Sequence, residues 1–311
     1  MGYSRWDSDS WASYSSTTAT KSTGDIFKMS SLDADLNPKG VVMREARDSD
    51  LNPESTPIIV AADVTGSMGM IAEHIVREGL GTLFEEILER KPVTDPQLMS
   101  MAIGDANAWD TAPLQVSQFE ADITATKWLE KIYVEGGGGA NNVESYDLPY
   151  YFAAYHTSID AFEKRGKKGY IFTIGDEEAP PATTIASVRK FINEDGDGMQ
   201  ADMPFEDVIE AASKMYHCFH IIIGQGSHAR YFPNEVRQSW NKVMGQRAIW
   251  LDDYKKLSET IVSIIQVTNG EDKDKVVKSW SGDTSMVVAS AIKDLDATDS
   301  DFDAGKGVMR F

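Results

Sequence analysis

The sequence predicts an α/β protein built on a doubly wound, mostly parallel six-stranded sheet with helices on both faces and one antiparallel edge strand. Two observations predict it. Short apolar runs alternate with stretches of helical periodicity, which is the pattern of strand–helix–strand units. The runs are also continuously apolar rather than alternating, as in strands buried on both faces.

In chain order, Ile58 to Ala62 is the first such run and ends in Asp63. A helix should follow, because Ile71, Ile75, Leu80, Leu83, Phe84, Ile87 and Leu88 recur mostly at helical spacings. Pro92 and Pro96 bracket its exit. Leu98 to Ile103 and Leu114 to Phe119 read as two more strands, and the short link between them makes the second an antiparallel edge. A helix from about Ile123 to Tyr133 leads into Gly136-Gly137-Gly138-Gly139. The next helix is expected to carry Leu148, Tyr151, Tyr155, Ile159 and Phe162 on one stripe. Tyr170 to Ile174 is a strand closed by Gly175-Asp176. After a helical insertion come the strand His217 to Ile223, the strand Arg247 to Leu251, and a helix through Ile261 and Ile265.

The two ends differ from this middle. Residues 1–55 read as a polar N-terminal arm, with Ser/Thr-rich composition from Ser8 to Thr23 that predicts disorder around scattered aromatic anchors such as Trp6, Trp11 and Tyr14. Gly40 to Met43 could add a short edge strand. Residues 56–268 form the α/β domain. Residues 269–311 read as a polar, acidic tail, with five aspartates and no base from Asp294 to Asp303, although Trp280 and the run Met286 to Ile292 are expected to dock on the core.

The formal net charge of −19 sets the surface against nucleic acid phosphates and anionic membranes. The lone cysteine, Cys218, rules out an intrachain disulfide and fits a reducing compartment. Met1 to Ser10 lacks the basic and apolar regions of a secretory signal, and no apolar run approaches a membrane span, so a cytoplasmic location is expected.

Ligands of such sheets sit beyond the carboxyl ends of the strands, where strand order reverses. Two strand ends carry acids there: Asp63-Val64-Thr65-Gly66-Ser67 and Asp176. The loop Gly136 to Glu144 lies between them in sequence. Asp63, Thr65 and Ser67 can face one side of an extended turn and present a carboxylate and two hydroxyls, hard oxygens suited to Mg²⁺ or Mn²⁺. The following helix points its N-terminus at the same place. A plainer alternative is that these residues only cap that helix, since Asp, Ser and Thr are favoured there anyway.

The stretch Ile58 to Met68, with its Asp-x-Thr-x-Ser-Met motif, resembles the first strand and metal loop of the von Willebrand factor A family. The glycine-rich loop and Asp176 resemble the family's second and third metal loops, and the likeness spans roughly residues 56–268. It implies a sheet order of 3-2-1-4-5-6 with strand 3 antiparallel. It also implies a metal-ion-dependent adhesion site of Asp63, Thr65, Ser67 and Asp176, with Asp176 acting through water, completed by a carboxylate from a protein partner. Intracellular members often work with AAA-type ATPases. One departure stands out: the family's second-loop threonine is missing from Gly139-Ala140-Asn141-Asn142-Val143-Glu144, where Asn141, Asn142, Glu144 or water must substitute. Asn142 is taken as the ligand, and Gly138, Gly139, Asn141, Glu144 and Glu177 as partner-binding loop residues.

Other motifs carry less. The strand before Asp176 has no Gly-x-x-x-x-Gly-Lys-Ser/Thr loop to serve as a nucleotide triphosphatase. Asn193-x-Asp195-x-Asp197-Gly198 begins like a calcium loop but has Pro204 where the bidentate Glu belongs, so a polar turn is expected. His217 and His220 point to opposite faces of their strand, and Cys218 is expected to be an inert core thiol. Asp105, Asp110, Glu177 and Glu178 read as solvated acids. The expected function is metal-dependent protein binding, as an adaptor or assembly component and not as an enzyme; a metal-assisted hydrolase and a structural component of a larger, possibly viral, particle are the alternatives.

Overall fold

The computed structural model describes residues 4–66, 68–137 and 142–296. The central sheet has six strands: β1 (Thr56–Asp63), β2 (Pro96–Ile103), β3 (Leu114–Val116), β4 (Gly169–Gly175), β5 (Tyr216–Ile223) and β6 (Ala248–Leu251). Their order across the sheet is β3-β2-β1-β4-β5-β6. Every neighbouring pair is parallel except β2–β3, which is antiparallel. This is the expected fold class and strand order. The chain moves one way from β1 to β3 and the other way from β4 to β6, so the order reverses between β1 and β4.

Strand β1 is central, and its alternate residues serve opposite faces. Ile58, Val60 and Ala62 belong to one core, with the helices 69–90 and Leu257–Thr268. Ile59 and Ala61 belong to the other, with the helices Asp147–Tyr155, Phe205–Ser213 and Pro233–Met244. Burial on both faces is why the run carries no polar alternation.

The helix after β1 is not uniform. Gly69–His74 and Leu80–Arg90 are α-helical, and Ile75–Gly79 between them is a π turn. Ile75 and Leu80 are five apart, which in an unbroken α-helix would place them on different faces. The wider turn lets Ile71, Ile75, Leu80, Leu83, Phe84 and Ile87 all stay buried, whereas Leu88 is exposed.

Several expectations are corrected. The N-terminal segment forms a helix, Ser8–Thr18, capped by the Asp7 carboxylate on the Ser10 amide. Trp6 stacks on Phe84 with ring centroids 4.2 Å apart, and Trp11 is buried over Gly81, where a Cβ would collide with its ring. Arg77 ties the segment down by donating to the carbonyls of Thr18 and Lys21. Aromatic burial and a good cap outweigh the Ser/Thr composition. The added strand is Arg44–Ala46, not 40–43, and it pairs with Thr157–Ile159. That pairing breaks the expected long helix: Ile159 is in a strand, and Phe162 lies on a separate short helix, Asp160–Arg165. The helix expected over 123–133 is shorter, Thr124–Leu129. At the other end, Trp280 is docked as expected, donating its indole N–H to Ser263 (2.8 Å) beneath the Arg90 guanidinium. Val288 and Ile292 are buried and Met286 is exposed. The aspartates beyond residue 296 lie outside the described residues. No helix among the described residues is long and apolar enough to cross a membrane.

Candidate metal centre

Strands β1 and β4 run parallel with Ala62 opposite Ile174, which brings Asp63 and Asp176 to the same end of the sheet, where strand order reverses. Both acids are fully buried. One oxygen of Asp63, Oδ1, accepts the Thr65 amide (2.8 Å) and the Thr65 hydroxyl (2.6 Å). The other, Oδ2, accepts the Tyr146 hydroxyl (2.9 Å). The Asp63 and Thr65 side chains thus serve each other. The helix N-cap residue is Met68, which makes no side-chain cap bond, so Asp63 and Thr65 do not act as caps. Ser67 lies outside the described residues.

Asp176 is held from the far side. Its Oδ2 accepts the His228 amide (2.8 Å), and Gly226 packs so closely on it that a Cβ there would fall 2.2 Å from the Asp176 Cβ. Glycine is required for that approach.

The second loop closes over the first: the Gly66 amide donates to the Gly137 carbonyl (3.2 Å). Gly138, Gly139 and Asn141 lie outside the described residues. Asn142 is exposed, in the left-handed region (φ 59°), and its carbonyl accepts the Glu178 amide (3.1 Å), joining the second and third loops. The buried polar group of this loop is instead Glu144, only 2% exposed. This corrects the expectation that Glu144 faces a partner. Its Oε2 is buried and has no hydrogen-bond partner among the described residues, and the same is true of Oε2 of half-buried Glu177.

Asp105 and Asp110, expected to be solvated, are buried as well. Asp105 follows the end of β2 as Asp63 ends β1. Asp110 accepts the Asp105 amide (2.8 Å) and lies where Cβ atoms on Gly104 and Gly137 would be. Ser145 ties the same loop to Glu144's neighbourhood: its amide donates to the Gly104 carbonyl and its hydroxyl accepts the Ala106 amide.

The electrostatics follow from crowding acids where water is scarce. Burial raises the Asp63 carboxyl above the usual range against the hydrogen bonds from Thr65, and the Asp176 charge raises it further. Burial also pushes Glu144 up to about 10, and the charges of Asp63, Glu177, Asp105 and Asp110 add to it. Glu177 is pushed up to about 8 by burial and then by Asp63 and Asp176. Among the described residues no group of three acidic, histidine or cysteine side chains is set as a ready metal cage. The oxygens gathered here belong to carboxylates and hydroxyls, and Oε2 of Glu144 and of Glu177 lack a hydrogen-bond partner among the described residues, a chemistry that fits a hard divalent cation with water completing its shell.

Tyr146, Asp105 and Asp110 are the residues that sequence reasoning missed. Asp105 carried a usable signal, because it is a third acid at a strand end. Tyr146 carried none: an aromatic beside a glycine-rich loop reads as core.

The remaining motifs are structural. Asp197 (φ 52°) closes a polar turn, accepting from Tyr151, His156 and Asn193. His220 is buried, stacked 3.4 Å from Trp240 and bonded through Nδ1 to Thr173. Cys218 is buried and its thiol is pushed up to about 11.

No protein-family model matches the chain, and no curated protein matches it. Among solved structures it is similar to a von Willebrand factor type A protein from Catenulispora acidiphila, with 15% identity and a TM-score of 0.37 over 70% of this chain and 44% of that one. It is also similar to the pilus adhesin SpaC from Lactobacillus rhamnosus GG in its open conformation, with 9% identity and a TM-score of 0.43 over 70% of this chain and 30% of the adhesin. A third is proximal thread matrix protein 1 from the mussel byssus, with 12% identity and a TM-score of 0.40 over 68% of this chain and 47% of that one. The matched region is less than half the length of each of these proteins. The α/β fold class is carried by the strand order and register of the sheet.

Proposed function

We propose that this chain is a von Willebrand factor A type binding module that holds one Mg²⁺ or Mn²⁺ at the sheet tip and uses the tip to grip a protein partner. The observation that carries this reading is the meeting of Asp63 and Asp176 at the point of strand reversal, beside buried carboxylate oxygens of Glu144 and Glu177 that have no hydrogen-bond partner among the described residues. Asp63, Thr65 and Ser67 would hold the ion, with Asp176 acting behind them. A bound ion supplies a positive, oxygen-seeking contact in an otherwise acidic surface, which suits a partner that presents a carboxylate. Thr65 orients the Asp63 carboxylate, and Gly226 lets the loop after β5 close on Asp176. The resemblance makes an AAA-type ATPase system the partner class to test first. Retention of partners from extract by the immobilised chain tests the reading. Partners should be lost with EDTA, return with Mg²⁺ or Mn²⁺, and be absent with a folded Asp63→Ala variant. A partner that ignores both EDTA and the substitution would move the binding surface away from the tip.

A further inference from the structure

The second loop lacks the hydroxyl that the resemblance calls for, and it supplies an acid instead. Glu144 is 2% exposed, yet its Oε2 meets no donor among the described residues. Leaving a carboxylate oxygen buried and unmet costs free energy unless something positive arrives. Among the described residues, the charges that act on Glu144 most strongly are those of Asp63, Glu177, Asp105 and Asp110, all acids. The backbone around it is firmly placed. The Glu144 carbonyl accepts the Tyr146 amide (2.8 Å), and the next residue, Ser145, is bonded at both amide and hydroxyl to the loop after β2. Tyr146 then reaches Asp63 through its hydroxyl. The residues that follow Glu144 are thus tied to the loops after β1 and β2, which fixes the backbone from which its buried side chain starts.

We propose that Glu144 is an internal carboxylate ligand of the tip cation, taking the place of the missing second-loop hydroxyl. This rests on the metal reading given above and sharpens it. A site with carboxylates from Asp63 and Glu144, backed by Asp176, balances the charge of a divalent ion from within the chain. The ion is then held before any partner arrives, and the partner's acid is not needed to retain it. Buried Asp105 and Asp110 add to the negative field that draws the ion in.

The test uses the purified full chain and Mn²⁺ alone. Calorimetry gives the affinity of wild type, Asp63→Ala, Glu144→Gln and Glu144→Asp, and thermal unfolding is followed in EDTA and in Mn²⁺. Glu144→Gln removes the charge and keeps the shape. It should lower Mn²⁺ affinity at least about 10-fold while the chain stays folded in EDTA. Glu144→Asp, which keeps the charge, should recover part of the affinity and also serves if the glutamine variant fails to fold. Wild-type affinity in both Glu144 variants, with binding lost in Asp63→Ala, would overturn the role of Glu144 and leave the metal reading standing. No Mn²⁺ binding by the wild-type chain, or equal binding by wild type and Asp63→Ala, would overturn the metal reading itself.

Discussion

The two ends of the sheet treat their acids in opposite ways. At the amino ends of the strands, Asp48 is paired with Arg165 (2.5 Å) and with the Ser55 hydroxyl (2.7 Å). Asp160 there is paired with Lys164 (2.6 Å) and Arg47 (2.9 Å). A basic cleft of about 580 Å³, lined by Lys91, Arg165, Lys167 and Lys168, opens beside them. At the carboxyl ends, Asp63, Glu144 and Glu177 crowd together and are raised by burial and by one another. Burial tends to raise Asp48 too, but Arg165 and Ser55 more than offset it and hold the group at about 2. The contrast separates acids that hold the fold from acids that await something. Paired acids stabilise the chain as it stands, while the tip acids cost stability unless a cation joins them.

The largest effects should come from cutting each end. Arg165→Ala leaves Asp48 with only Lys164 (3.5 Å) and Ser55, and should cost about 2 kcal/mol in urea unfolding while leaving Mn²⁺ affinity unchanged. Asp63→Ala should abolish measurable Mn²⁺ binding by calorimetry, and should cost about 1–3 kcal/mol in EDTA because the buried Thr65 and Tyr146 donors lose their acceptor. Unchanged Mn²⁺ affinity in Asp63→Ala, or lost affinity in Arg165→Ala, would erase the distinction.

A pH series should sharpen it. Asp63, Glu144 and Glu177 have folded values above their unfolded ones, so the folded chain binds protons that the unfolded chain releases. Their contribution is full below about pH 4 and is lost as pH rises through the folded values, about 8 for Glu177 and about 10 for Glu144. Asp48 has the opposite sign: its contribution is full above about pH 4 and is lost as pH falls toward about 2. In EDTA the chain should therefore lose stability from about pH 5 to pH 8, and saturating Mn²⁺ should flatten or reverse that slope. A flat profile in EDTA would mean that the tip acids already have their counter-charge.

The smallest effect concerns how Asp63 is aimed. Tyr146→Phe keeps the buried ring and removes the hydroxyl that Oδ2 of Asp63 accepts. Mn²⁺ affinity should fall about 10-fold and stability by about 1 kcal/mol. An unchanged affinity would mean that Thr65 alone orients the carboxylate.

Much of the tip could be read from the sequence because it obeys local rules. An apolar run ending in an acid marks a strand end, and Asp63 and Asp176 were found that way. The antiparallel edge followed from one short link, between β2 and β3, whereas the strand order came only from the family resemblance. What could not be read is what loops do to each other. Asp105 and Asp110 look solvated because acids in loops usually are; they are buried because the loops from Gly104 and Gly137 meet around the Asp110 carboxylate. Ile159 fits a helical stripe by spacing, but the segment Thr157–Ile159 is claimed by Arg44–Ala46, over a hundred residues away. The N-terminal arm looks disordered by composition because composition averages over Trp6 and Trp11, which dock on a helix supplied by another part of the chain.

The π turn at Ile75–Gly79 also bears on how the tip connects to that arm. A π turn holds one residue more than the α-helix around it. In the helix leaving the tip it sits between the tip-side turns and the turns on which Trp6 and Trp11 rest. The Gly79 carbonyl is already served from outside, by the Ser258 hydroxyl (2.7 Å). Arg77, inside the same turn, donates to the carbonyls of Thr18 and Lys21, so the wider turn is itself the joint at which the helix leaving the tip holds the N-terminal segment.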